Sequence, residues 1–118
     1  MAVKTESVYG SIVISDDVIA KIAGMEATKC VGVVGMAFKS KADEFASLLK
    51  KDSVSRGVKV TASNGAIMME LHIIAEYGVN LSAISNNIIE NVKYAVETMT
   101  GYRVDKITIN VESVRVNG

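Results

Sequence analysis

Residues 66–101 read AIMMELHIIAEYGVNLSAISNNIIENVKYAVETMTG, and this stretch decides the fold. Its first part alternates. Ile67, Met69, Leu71, Ile73, Ala75 and Tyr77 fall on one side at a spacing of two, which is how a strand presents a single buried face. Met68, Glu70, His72, Ile74 and Glu76 fall on the other side, a mixed surface that can be only half buried. Tyr77-Gly78 turns the corner. Ile84, Ile88, Val92, Ala95, Val96 and Met99 then recur at spacings of three and four, the apolar stripe of a long amphipathic helix. Asn80 or Ser82 supplies its N-cap, and Gly101 suits the left-handed position that ends it. No other stretch can bury as much apolar surface. The remaining strands are therefore expected to pair with this one, with the helix lying across them.

Just upstream, Val58, Val60 and Ala62 alternate with Lys59, Thr61 and Ser63, and Asn64-Gly65 follows. Asn-Gly between two alternating runs is the strongest short-range hairpin signal, because both residues accept positive φ. After the helix, Val104 to Val116 reads as a final strand with Ile107, Ile109 and Val111 facing in. Its phase slips near Ser113, which implies a bulge or the end of the sheet. Toward the N-terminus, Ala37 to Arg56 is charged, with Ala42, Phe45, Leu48 and Leu49 at helical spacing. Cys30 to Met36 is an apolar run too short for a helix and reads as a strand. Ser15 followed by Asp16 and Asp17 caps a short helix that carries Val18, Ile19, Ile22 and Ala23 and runs to about Thr28. Val8 to Ile14 has the β-branched content of a strand. Residues 1–7 are polar and read as a flexible N-terminus, ahead of a single domain over 8–118. The expected order is β-α-β-α-β-β-α-β. That is an α+β, two-layer fold with a mixed or antiparallel sheet and its helices mainly on one face.

The chain has 118 residues, with 13 basic and 13 acidic side chains. Zero formal charge argues against a general polyanion binder and leaves little colloidal repulsion to oppose self-association. The single cysteine, Cys30, excludes an intramolecular disulfide. The first residues lack the apolar core of a signal peptide, and no run reaches the roughly 18 apolar residues of a membrane span. Together these point to a reducing, cytoplasmic setting, with any membrane association supplied by a partner.

The candidates for chemistry are few. His72, the only histidine, sits two residues from Glu70 on one strand face. That pair could begin a metal site or share a proton, but two ligands do not complete one, and a half-buried or interface histidine is the favoured reading. Cys30 lies in apolar sequence without a nearby histidine, so it reads as structural. Gly32-Val-Val-Gly35 has the spacing of a phosphate-tracking RNA loop, yet two valines cannot do that work. Lys39, Lys41, Lys50, Lys51 and Arg56 make residues 37–56 locally basic, offset by Asp43, Glu44 and Asp52, so nucleic-acid binding ranks last. No catalytic set, cofactor motif or metal cluster emerges. The surface expected to make contacts comprises Glu70, His72, Ile74 and Glu76 on the strand and Asn87, Asn91 and Tyr94 on the long helix.

Several of these segments resemble the alkaline shock protein family of Gram-positive bacteria. They are Gly10-Ser-Ile-Val-Ile-Ser-Asp-Asp-Val-Ile-Ala-Lys-Ile-Ala-Gly24, Val31-Gly-Val-Val-Gly-Met36, Gly57-Val-Lys-Val60, Leu71-His-Ile-Ile-Ala-Glu-Tyr-Gly-Val-Asn80 and Met99-Thr-Gly101. The Glu76–Asn80 corner and the Ile-Ser-Asp-Asp-Val start are the most specific. The resemblance covers about Val8 to Val116, and the chain looks like a small stand-alone member. It implies a non-enzymatic cytoplasmic interaction or scaffold protein linked to cell-envelope homeostasis and stress. It also implies a membrane-anchoring protein or a kinase-like protein as partner, and homo-oligomers. The alternative is an accessory protein that binds a small molecule or lipid beside an acyl-handling kinase. No catalytic residue or cofactor is implied.

Overall fold

Alternation makes Ala66–Glu76 the strand around which the main sheet is registered. The computed structural model describes residues 2–7 (backbone only), 9–37, 57–63 and 65–116. In chain order the elements are β1 (Ala2–Ser7), β2 (Gly10–Ser15), α1 (Asp16–Lys29), β3 (Val33–Met36), β4 (Val58–Ser63), β5 (Ala66–Glu76), α2 (Leu81–Thr100) and β6 (Arg103–Arg115). β5 pairs antiparallel with β3 and β4 and parallel with β6, so the main sheet is mixed. The fold is α+β, as expected, with both described helices on one face of this sheet. The helix expected over 37–56 lies outside the described residues, Ala37 excepted.

β6 occupies one side of β5 along its whole length, so β3 and β4 must share the other. β3 pairs with Ile73–Ala75 and β4 with Ala66–Leu71, both running the same way. They are two halves of a single edge strand. The ladder continues between them through His72, whose N–H donates to Gly57 O and whose carbonyl accepts from Ala37 N–H, each at 2.8 Å. The chain thus leaves the sheet at Ala37 and rejoins it at Gly57, side by side. Gly57 has φ +77°, and a Cβ there would lie 2.1 Å from Ala37 O and 2.9 Å from His72 O. Both neighbours are backbone, so neither can swing aside.

The inward row of β5 forms the core: Ile67, Leu71, Ile73 and Ala75 are fully buried and Met69 nearly so. Onto it pack Ile84, Ile88, Val92, Ala95 and Val96 of α2, and Ile19, Ala20, Ala23 and Ala27 of α1. Each fully buried aliphatic side chain of this kind contributes roughly 1.5–3 kcal/mol of transfer free energy. Ser15 caps α1, its Oγ accepting from Val18 N–H at 3.4 Å, with Asp16 and Asp17 in the first turn where the helix dipole favours them. Asn80, rather than Ser82, caps α2, its Oδ1 accepting from Ala83 N–H at 3.0 Å. Gly101 ends α2 in the left-handed region.

Five expectations change. The remaining strands do not all pair with β5: β1 and β2 pair with each other in a two-stranded sheet of their own. Residues 2–7, read as loose, form strand β1, whose backbone pairs with all of β2; ladder hydrogen bonds do not require apolar side chains. Tyr77 is 70% exposed, because β5 ends at Glu76 and the chain turns before the alternation can continue. Met99 is 68% exposed, since the last turn of α2 extends beyond the inner face of the sheet. Val18 is exposed on α1, where small residues (Ala20, Gly24, Ala27) face the core instead and let the helix approach closely.

Two stability measurements check this packing. Gly57→Ala should cost about 3 kcal/mol in urea unfolding, from positive φ plus a backbone clash, whereas Gly35→Ala, on β3 with open space at its Cβ, should stay within about 0.5 kcal/mol. Ile88→Ala should cost about 3 kcal/mol and Met99→Ala less than about 1 kcal/mol; equal losses would contradict the buried stripe described for α2.

Candidate functional site

The half of β5 that does not build the core faces away from both helices. Register sets its neighbours: Thr61 and Lys106 flank Met68, Lys59 and Thr108 flank Glu70, Asn110 lies beside His72, and Gly35 and Ser113 flank Ile74. Met68 is 43% exposed, and Glu70, His72 and Ile74 are half-buried. The result is an apolar pair, Met68 and Ile74, set among polar side chains on an open sheet face.

A bulge organises the middle of this face. Between Val111 and Ser113 the β5–β6 register slips by one residue, and the extra residue is Glu112. Its Oε1 lies 3.1 Å from His72 Nδ1. Glu70 Oε1 approaches the other ring nitrogen, Nε2, at 3.9 Å and accepts from Asn110 Nδ2 at 3.4 Å. His72 is thus held between two carboxylates, its side chain only 17% exposed. The carboxylates address opposite ring nitrogens and do not converge on one point, so the arrangement orients the ring rather than encloses an ion. Among the described residues no group of three histidine, cysteine, aspartate or glutamate side chains could hold a metal ion. The sequence signal for Glu112 is the phase slip near Ser113. It gives the bulge but not which side chain the bulge delivers to His72.

Next to this trio lies a shallow hollow of about 240 Å³ lined by Lys59, Thr61, Met68, Glu70, Lys106 and Thr108. Three strands contribute to it, and its floor is the Met68 side of β5.

The residues expected to form one contact surface fall in two places. Glu70, His72 and Ile74 lie together on the open face, with Glu76 exposed at the end of the strand. Asn87, Asn91 and Tyr94 lie on the outward side of α2, in the helix layer across the sheet. Asn91 Nδ2 donates to Asn87 Oδ1 at 3.4 Å and to Cys30 Sγ at 3.6 Å, so these asparagines stitch α2 to the end of α1. Tyr94 is 73% exposed. Cys30 is buried, its thiol directed at Glu26 O at 3.5 Å, which fits a structural residue. Gly32 sits in the turn before β3, where a Cβ would lie 2.3 Å from Ile84 Cδ1; its role is close packing against α2, not a phosphate loop between helices. The basic side chains Lys39, Lys41, Lys50, Lys51 and Arg56 lie outside the described residues. No described helix is long and apolar enough to cross a membrane.

Comparison with known proteins agrees with the resemblance carried by the Ile14–Val18 and Glu76–Asn80 motifs. The model of the alkaline shock protein 23 family, cell envelope-related function, matches residues 4–116. The chain is 40% identical to the uncharacterised protein Spy1614 of Streptococcus pyogenes serotype M6, covering all of this chain and 98% of that one. It is 39% identical to protein YloU of Bacillus subtilis, over 98% of each. A stress response regulator gls24 homologue of Streptococcus pyogenes serotype M3 is 30% identical over 95% of this chain, which spans 62% of that longer protein. The chain belongs to the alkaline shock protein 23 family, whose function is cell envelope-related.

Proposed function

We propose that the chain is a non-enzymatic interaction module of the cell-envelope stress response, acting in the cytoplasm through the open face of its sheet. One observation carries the reading. On the open face Met68 and Ile74 lie on either side of a hydrogen-bonded polar middle made by Glu70, His72, Glu112 and Asn110. Apolar contacts beside polar groups of fixed geometry suit a protein partner, because interfaces of this kind combine apolar burial with directional hydrogen bonds. The geometry of His72 supports it. Its ring is bracketed by Glu70 and Glu112, one at each ring nitrogen, which favours positioning. The partner proposed is the one the family resemblance implies, a membrane-anchoring protein or a kinase-like protein.

A second reading rests on the hollow beside Met68. Two lysines and two threonine hydroxyls around a thioether suit a small amphiphile with an anionic head, such as a fatty acid. Nuclear magnetic resonance titration with a short-chain fatty acid separates this reading from the first. Absence of shifts at Thr61, Met68 and Thr108 at saturating ligand removes it.

The main reading is tested by placing a photo-crosslinking amino acid at position 68 and, in a separate strain, at position 94. A discrete protein adduct from position 68, absent from 94 and abolished by Ile74→Asp, is expected. Adducts only from position 94 would transfer the function to the helix layer, and none from either would sink the proposal.

A further inference from the structure

We propose that the free edge of β6 is a self-complementary docking edge, and that its occupant is β6 of a second copy running antiparallel about a two-fold axis through Ile109. Among the described strands β6 pairs with β5 alone, so its outer edge presents unpaired ladder groups along a strand of 13 residues. This pairing uses the backbone of the sheet edge and shares Lys106 and Glu112 with the border of the open face; its readout is self-association, which the capture of another protein by position 68 does not measure.

Three observations favour a second copy over an arbitrary strand. The first is shape. The core-facing residues of β6 are Val104, Ile107, Ile109, Val111 and Val114, opposite Ile67, Met69, Leu71, Ile73 and Ala75 of β5. The two register slips insert Asp105 on one side and Glu112 on the other. The inward pattern is therefore symmetric about Ile109: Asp105 and Lys106 separate Val104 from Ile107, and Glu112 and Ser113 separate Val111 from Val114. Bulges blunt an edge against ordinary strands. A second β6, turned end for end, brings its own two-residue interruptions opposite these, Asp105 facing Ser113 and Lys106 facing Glu112.

The second is chemistry. Pairing about Ile109 sets Val104 against Val114, Ile107 against Val111 and Ile109 against itself on the core side. On the open side it sets Thr108 against Asn110 and Lys106 against Glu112, the latter twice per dimer. The end pair, Arg103 against Arg115, is like-charged, but Arg103 is already held by Asp105 of its own chain at 2.6 Å.

The third is burial. The β5 residues Met69, Leu71, Ile73 and Ala75 are no more than 3% exposed, yet their β6 neighbours Ile107, Ile109 and Val111 are only half-buried and Val114 is 42% exposed. The core row runs out at the β6 edge while still apolar. A second copy extends it.

Charge reversal tests the register directly. By sedimentation velocity the protein should be a reversible dimer. Lys106→Glu alone should raise its dissociation constant about tenfold, because two attractive cross-strand pairs become repulsive, and Glu112→Lys alone should do the same. The double variant restores both pairs in trans and should return the constant to near the wild-type value. Ile109→Cys should form an intermolecular disulfide on mild oxidation, at a position opposite its own copy. Because Glu112 also holds His72, each variant's thermal melt is recorded; if Glu112→Lys alone unfolds, the double variant decides. A protein that remains monomeric at the highest concentration it reaches overturns the proposal. So does a dimer indifferent to both single reversals, or one that the folded double variant fails to rebuild.

Discussion

The main sheet and both described helices are registered against one strand with two unlike faces. β5 has a hydrogen-bonded neighbour on each side along its length, and its inward row is almost wholly sealed from water. A slip of one residue would turn Ile67, Met69, Leu71, Ile73 and Ala75 outward and bring Glu70 and His72 into the core, so the register is strongly determined. The helices follow from it. α1 and α2 lie where that row is, and their buried residues are those that meet it. The open face proposed above for contacts follows as well, because whatever is not core on β5 must be displayed on the opposite side of the sheet.

The parts of this plan that depend on local pattern were legible in the sequence. Alternation located β5, the Asn-Gly pair located the hairpin with β4, and Ser15, Asn80 and Gly101 marked the helix ends through capping chemistry that acts over three or four residues. The errors arise where a pattern continues past the element that justifies it. Tyr77 keeps the phase of β5 after the strand has ended, and Met99 keeps the phase of α2 after the sheet beneath it has run out. Pairings between distant segments were not legible. Nothing local says that β6 runs parallel to β5, or that β3 and β4 are one strand. Nor does anything local say that Glu112, forty positions from His72, would meet its ring. Asn87, Asn91 and Tyr94 share a helix face by periodicity, but only the layer arrangement separates them from Glu70 and His72.

Two surfaces with different physical characters emerge. The open face offers side chains: a thioether and an isoleucine on either side of a cluster of carboxylates, an amide and an imidazole. The β6 edge offers backbone, whose ladder groups are indifferent to sequence, with its selectivity supplied by two bulges and one charge pair. The two surfaces meet at Lys106 and Glu112, while Met68 and Ile74 stay clear of the edge. Two copies joined at their edges would place two open faces in one plane, and a partner or array engaging both would gain from effective concentration without any new contact.

The interruption between β3 and β4 has a different consequence. Ala37 and Gly57 are clasped to the same residue, so the sheet closes over the gap as though nothing were missing. One residue of β5 therefore holds both ends of the break, and a side chain at position 57 would displace Ala37 from the ladder along with itself, so the two half-strands depend on the same glycine.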